Sequence, residues 1–255
     1  MAAPRVDILM YHSVSDAGGA TSIAPAVFAA QMQAIADAGV PVITMDDYLA
    51  AEEGRATLPD RAVILTFDDG FQDFAQTAWL VMVRHGFRPI VYLPTGFVGR
   101  AEGWRGIGSP PRPLMGWDRI GGLAADGVLF GSHTVSHPDL NHLPPAARAE
   151  ELAVAKRAIE DRLACPVAHF APPYGLANAA VRAEIARQYR TSVGTRLGQA
   201  RPGASVFDLP RIEMFYFTDP ARWRAHLEGR GAAYFTKRRI LRTVRGALMN
   251  PWRGI

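Results

Sequence analysis

Two short stretches of this chain carry side chains suited to metal chemistry. One is Thr66-Phe67-Asp68-Asp69-Gly70, with adjacent carboxylates, and the other is His133-Thr134-Val135-Ser136-His137, with two imidazoles four positions apart. Together they supply one metal site and one spare acid/base group. Asp69, His133 and His137 can hold a divalent cation and leave a position open for water. Three protein ligands with an open fourth position is the usual arrangement of a catalytic metal. Asp68 can then take a proton from that water, so the expected chemistry is metal-assisted hydrolysis. Zinc suits two imidazoles and one carboxylate, with nickel, cobalt and manganese as alternatives.

Distant segments must fold together to make such a site. Short apolar runs alternate with amphipathic stretches along the whole chain. The pattern predicts strands at Asp7–Tyr11, Val40–Thr44, Ala62–Phe67, Pro89–Leu93, Leu129–Ser132, Ala168–Ala171, Thr191–Gly194 and Phe207–Ile212. It predicts helices at Pro25–Ala38, Asp46–Glu53, Phe71–His85, Asp118–Ala125, Pro144–Leu163, Leu176–Gln188, Pro220–Glu228 and Thr236–Met249. Continuous apolar strands such as Ala62-Val63-Ile64-Leu65 imply burial on both faces, as in a parallel sheet. Strand–helix alternation over this length argues for an α/β barrel. Asp68 and Asp69 then follow the third predicted strand and His133 the fifth, at the C-terminal strand ends where barrels carry their active sites. The longest irregular stretch, Phe97 to Gly116, is rich in Gly and Pro and holds Trp104. A loop of that length in a compact domain is usually functional or disordered. Trp104 is a candidate to stack on a ring, whereas Trp117 reads as packing for the next helix.

A chain of 255 residues with 49% hydrophobic content can bury one sizeable core. Its one cysteine, Cys165, excludes an internal disulfide and suits a reducing compartment. The N-terminal sequence shows no secretory signal and no apolar run reaches membrane-span length, so a cytoplasmic location is expected. The net charge of +4 is unevenly placed. From Arg222 onward there are nine Lys/Arg against the single acid Glu228, so the body before it is mildly acidic. A nucleic-acid partner would need basic residues on the working face, which this body does not offer.

The motifs TFDDG and H-[ST]-x-x-H, in this order and about 60 residues apart, resemble those of the polysaccharide deacetylases of carbohydrate esterase family 4, the NodB-homology family. The resemblance runs from roughly Asp7 to Ile212. It implies a distorted (β/α)7 barrel, which the spacing alone does not give. It implies that Asp68 is the base, that Asp69 is a metal ligand with His133 and His137, and that the substrate is an N-acetylated sugar releasing acetate. A cytoplasmic or lipid-linked saccharide is the expected substrate. Hydrolysis of another acyl group, such as an O-acetyl ester, a formamide or a small amide, is an alternative. A silent glycan-binding protein is another, and the intact Asp68 argues against it.

Two family positions differ. The third family motif is R-x-P-Y, and here the stretch reads Ala171-Pro172-Pro173-Tyr174, with Ala171 where the arginine would stand. Pro-Tyr is retained, so the Tyr174 backbone N–H is expected to donate to an oxyanion, and Pro173 joins Trp104 as a candidate substrate contact. Arg211, in Leu209-Pro210-Arg211-Ile212, is the expected substitute for the missing arginine. The family's Leu-x-His has no good match near the C-terminus, where Ala225-His226-Leu227 stands in the wrong order. Instead Tyr11-His12 resembles an N-terminal Tyr-His segment of poly-N-acetylglucosamine deacetylases, and that resemblance gives His12 the acid role. His85 reads as a helix-end residue, His169 as buried in a strand and His142 as a loop residue.

The barrel is expected to occupy residues 1–235 and a basic amphipathic tail residues 236–255. In the tail, apolar residues at 240, 241, 244, 247 and 248 share one helical face, opposite cations. That pattern fits an interfacial membrane helix and equally a last barrel helix with a basic exterior.

Overall fold

The computed structural model describes residues 4–104 and 110–248, with side chains described as far as 241. Seven parallel strands close into a barrel in sequence order: β1 (Arg5–Tyr11), β2 (Arg61–Phe67), β3 (Ile90–Leu93), β4 (Leu129–Ser132), β5 (His169–Phe170), β6 (Thr191–Leu197) and β7 (Leu209–Glu213). Around them lie α1 (Pro25–Asp37), α2 (Met45–Glu52), α3 (Trp79–Met82), α4 (Trp117–Ala125), α5 (Pro145–Leu163), α6 (Ala179–Gln188), α7 (Pro220–Leu227) and α8 (Ala232–Leu248).

Strand alternation splits the buried residues into two clusters. Val6, Ile8, Ala62, Ile64, Ile90 and Tyr92 face the barrel interior with Val193 and Leu209. Their neighbours Leu9, Tyr11, Val63, Leu65, Phe67 and Val91 pack outward beneath the helices. This is the period-two pattern of a strand buried on both faces.

The barrel is uneven, and proline accounts for much of that. β1 and β2 pair in register over seven positions, from Arg5 opposite Arg61 to Tyr11 opposite Phe67. By contrast β5 is two residues long, between Pro166 and the pair Pro172-Pro173, which have no N–H to give a ladder. The expected strand Val40–Thr44 does not form. It contributes one isolated bridge, Val42 to Val63, with Ile43 donating to Val63 O and Val63 donating to Pro41 O. β2 meets β3 only from Thr66 onward, and this segment covers the lower edge of β2. Asp68 therefore follows the second strand and His133 the fourth, not the third and fifth. The expected helix Phe71–His85 is broken into a π-turn (Phe74–Ala78), α3 and a 3-10 turn (Val83–His85) that ends at left-handed Gly86.

The C-terminal helix starts at Ala232, four residues before the expected Thr236. Its first turns are docked on the barrel. The Tyr234 hydroxyl donates to Tyr216 O, and Phe235 lies against His226. Ile240 and Leu241 further along are exposed, and residues 244, 247 and 248 lie outside the described side chains. No helix among the described residues is long and apolar enough to cross a membrane.

Two glycines separate crowding from helix propensity. A Cβ at Gly131, in β4, would lie 2.6 Å from the Tyr92 ring and 2.9 Å from His169 O, whereas one at Gly122, exposed in α4, meets nothing within 4 Å. Gly131→Ala should lower unfolding stability by about 1–3 kcal/mol through overpacking. Gly122→Ala should raise it by about 0.5–1 kcal/mol. Urea denaturation of both variants checks the pair; a Gly131→Ala midpoint at or above wild type would refute this account of the interior.

Candidate active site

All the predicted acid/base and ligand side chains meet at the C-terminal mouth of the barrel. Asp68 continues the interior phase of β2, and its N–H still donates to Tyr11 O. Asp69 and Gly70 then both take left-handed backbone, with φ of 72° and 70°. A Cβ at Gly70 would sit 2.7 Å from the Leu93 side chain, so the turn needs glycine there. Thr134, His137 and Tyr174 are left-handed as well. Ala164, a helix end, is the other non-glycine residue with positive φ among those described. Such conformations cost ~1–3 kcal/mol each and persist where surrounding contacts over-determine them.

Those contacts are visible. The His133 ring nitrogen Nδ1 is 2.6 Å from Ala171 O. That bond fixes the ring and turns Nε2 toward Asp69, the way a second partner orients a metal-ligating histidine. Between the two histidines, Val135 N, Ser136 N and the Ser136 hydroxyl all donate to the Glu151 carboxylate on α5. The His137 N–H donates to Thr134 Oγ1 at 3.1 Å. On the other side, Asp73 accepts from Ser13 Oγ at 2.5 Å and Val14 N at 3.0 Å, tethering the segment that carries His12. Burial raises the Asp73 pKa despite those bonds. Neither Glu151 nor Asp73 was marked by the sequence.

Asp69, His133 and His137 are all buried, with ligand atoms within 4.8 Å of one another. Nε2 of each histidine lies 3.4 Å from Asp69 Oδ1. Asp69 Oδ1 and His137 Nδ1 are buried without a hydrogen-bond partner. A buried carboxylate oxygen left so, facing two imidazole nitrogens, is what a cation site requires, and the donor set fits a divalent ion. Burial would raise the Asp69 pKa, but the two imidazoles outweigh it and hold the carboxyl well below its ordinary range. Burial, aided by His133, lowers His137 and favours the neutral ring that ligates metals. His133 is pushed upward: burial opposes the charge, but Asp69 and Asp68 favour it. A cation binding there displaces that proton.

Beside this cluster stands a second carboxylate with a different partner. Arg211, fully buried on β7, grips Asp68 with both arms at 2.7 Å, and its Nε donates to Gly194 O at 2.8 Å. Burial alone would raise Asp68; the Arg211 charge and its paired bonds overcome that and set the carboxyl below its ordinary value. His12 Nε2 lies 3.8 Å from Asp68 Oδ2, with the ring partly exposed.

The Tyr174 ring meets His137 edge-on at 4.8 Å, in a 3-10 turn Pro173–Gly175 whose Pro173 is buried. Trp104 stacks on His137 at 4.0 Å and 19°, so one of its faces is taken by a candidate ligand. Its loop is pinned by Glu102, which accepts from Arg112 Nε at 2.7 Å. Residues 105–109 of that loop lie outside the described residues. Trp117 packs against the core, as expected.

The other histidines stand apart. His169 bridges Thr191 and Asp46, and exposed His142 pairs with Asp139. His226 is buried against Asp7, near the N-terminal ends of the strands.

Known proteins share this architecture. YxkH of Bacillus subtilis, itself named for the polysaccharide deacetylases, is 24% identical over 225 residues, 88% of this chain and 76% of its own. A chitooligosaccharide deacetylase of Bradyrhizobium is 32% identical over 119 residues, 46% of this chain and 47% of its own. Among solved structures, IcaB from Ammonifex degensii superposes with a TM-score of 0.73 at 23% identity, covering 89% of this chain and 97% of that one. The deacetylase PplD of Streptococcus pyogenes gives 0.72 at 24% identity, covering 83% and 92%. These two carry the fold, a seven-stranded barrel. The polysaccharide deacetylase family model matches residues 55–193, more than half of the sequence, and the chain belongs to that family.

Proposed function

We propose that this protein is a metal-dependent deacetylase that hydrolyses the N-acetyl group of an N-acetylated saccharide. One observation carries the reading: a carboxylate kept ionised by a buried bidentate arginine lies next to a three-residue ligand cluster with an unpartnered oxygen. Binding alone has no need of the spare carboxylate. The Bradyrhizobium relative is named for chitooligosaccharides, and that substrate class supports an N-acetylated sugar here.

Asp69, His133 and His137 would hold the ion, and two imidazoles with one carboxylate suit zinc. Such an ion supplies Lewis-acid polarisation and a water of lowered pKa. Asp68 would accept the proton of the attacking water as its oxygen bonds to the acetyl carbon. Its carboxylate is a weak base because Arg211 stabilises the charge, so it suits a water already acidified. His12, across from Asp68, gives a proton to the departing amine nitrogen. The Tyr174 N–H donates to the acyl oxygen as charge develops; one such donor is typically worth about 2.7–4 kcal/mol. Trp104 and Pro173 bound the space for the sugar.

Asp69→Ala, His133→Ala and His137→Ala should each lose both metal and acetate release from N-acetylglucosamine oligomers. Asp68→Asn keeps the metal and loses turnover. Metal analysis with acetate assay decides; a fully active Asp68→Asn enzyme removes the proposed base.

Arg211→Lys keeps the charge and loses the fork. Because Arg211 depresses the Asp68 pKa, weakening the pair should move the acid limb of the kcat/KM profile to higher pH. An unmoved limb in an active variant shows that Asp68 is not the titrating base.

His12→Ala should leave metal content and fold intact and slow amide turnover by ~10²–10⁴, the usual scale of general acid–base assistance. Activated esters, whose leaving groups need no proton, should lose less. Equal losses on both substrates would assign His12 to positioning instead.

A further inference from the structure

We propose that a cavity near the N-terminal ends of β1 and β2, at the far end from the proposed site, binds a phosphoryl group. The cavity has a volume of about 640 Å³ and is lined by five arginines: Arg5, Arg61, Arg196, Arg201 and Arg239. No carboxylate lines it among the described residues.

Its walls are built rather than incidental. Arg5 and Arg61 are opposed first residues of β1 and β2. Arg61 donates to the last carbonyls of α7, at His226 and Leu227. Asp7 on β1 accepts from Gln199 Nε2 at 2.7 Å and lies 2.9 Å from His226 Nε2. That single buried carboxylate ties together three of the segments that line the cavity. At the turn between α7 and α8, a Cβ on Gly231 would stand 2.7 Å from the His226 Cα, so glycine lets α8 start against the cavity.

Arg5 and Arg201 meet no carboxylate among the described residues of the lining. Arg196 reaches Asp208 outside the lining, at 3.6 Å. The side chains of Arg5 and Arg201 make no hydrogen bond or ion pair with any described residue and stand exposed at the cavity. Clustered guanidinium groups repel one another unless an anion joins them. Their planar forks match the several acceptor oxygens of a phosphate or pyrophosphate better than one carboxylate does. That chemistry has two sources, a soluble phosphorylated compound and the headgroup of an anionic lipid. Exposed Ile240 and Leu241 directly follow Arg239 in α8, so the second source belongs in the test.

The test uses the full chain. Inorganic pyrophosphate is titrated by calorimetry at low salt, and co-sedimentation is measured with phosphatidylcholine vesicles with and without phosphatidic acid. Saturable binding of pyrophosphate supports the proposal with a soluble ligand; sedimentation only with phosphatidic acid supports it with a headgroup. In either arm the double variant Arg5→Gln/Arg201→Gln should bind about tenfold or more weakly, the scale of losing two charge-assisted contacts. Its metal content should match wild type, since neither residue approaches the ligand cluster. Arg5→Lys/Arg201→Lys, which keeps charge without the forks, should fall between. Failure of wild type to bind either probe overturns the proposal. So does undiminished binding by a folded Gln variant.

Discussion

The Arg211–Asp68 pair is the constraint around which the barrel mouth is arranged. A buried ion pair is expensive: desolvation opposes it, and removing one partner of such a pair typically costs about 3–5 kcal/mol. It survives here because nearly every polar atom is used. Arg211 spends two arms on Asp68, and also reaches Gly194 O on β6 and Thr66 Oγ1 on β2. Thr66 in turn donates to Leu9 O on β1. One guanidinium thus joins β2, β6 and β7 across the interior, and a hydroxyl carries the connection to β1. β6 and β7, whose register shifts between Val193 and Leu197, are thereby also joined from inside.

Around that centre, backbone strain is distributed rather than avoided. Asp69, Thr134, His137 and Tyr174 all stand in left-handed conformations, which are uncommon for any residue but glycine and least expected of β-branched Thr134. Each is held by something outside its own loop or by its close neighbours. Glu151 reaches from α5 to bind the backbone between the histidines, and Asp73 holds the strand end behind His12. Two carboxylates, neither facing the ligand cluster, therefore act as clamps on loops that do.

How much of this was legible depends on the range over which each signal acts. The seven strands that form were all visible as short apolar runs, because burial on both faces leaves a continuous signature. Val40–Thr44 carried the same signature and is not a strand; Pro41 and the position of β3 decide that, and only the second is nonlocal. The π-turn at Phe74–Ala78 left no mark in a stretch with ordinary helical periodicity. Arg211 could be found because a strand-end arginine appeared where Ala171 had left a vacancy. Glu151 could not, since a glutamate on an amphipathic helix looks like any solvated charge. The strain at Tyr174 was invisible for a similar reason: a tyrosine gives no local warning of positive φ.

The barrel is sealed where β1 meets β7, through Leu9 beside Ile212 and Met10 beside Glu213. His12 leaves the end of one of those strands, and Arg211 sits within the other. The proposed base is therefore gripped by a residue of the last barrel strand and faced by one that follows the first. Both candidate ligand motifs precede β7 in sequence, so the grip of Arg211 on Asp68 forms only once that strand has joined the sheet. Every proposed cation ligand precedes β7 in the chain, so the proposed base is the one part of the site that waits for the barrel to close.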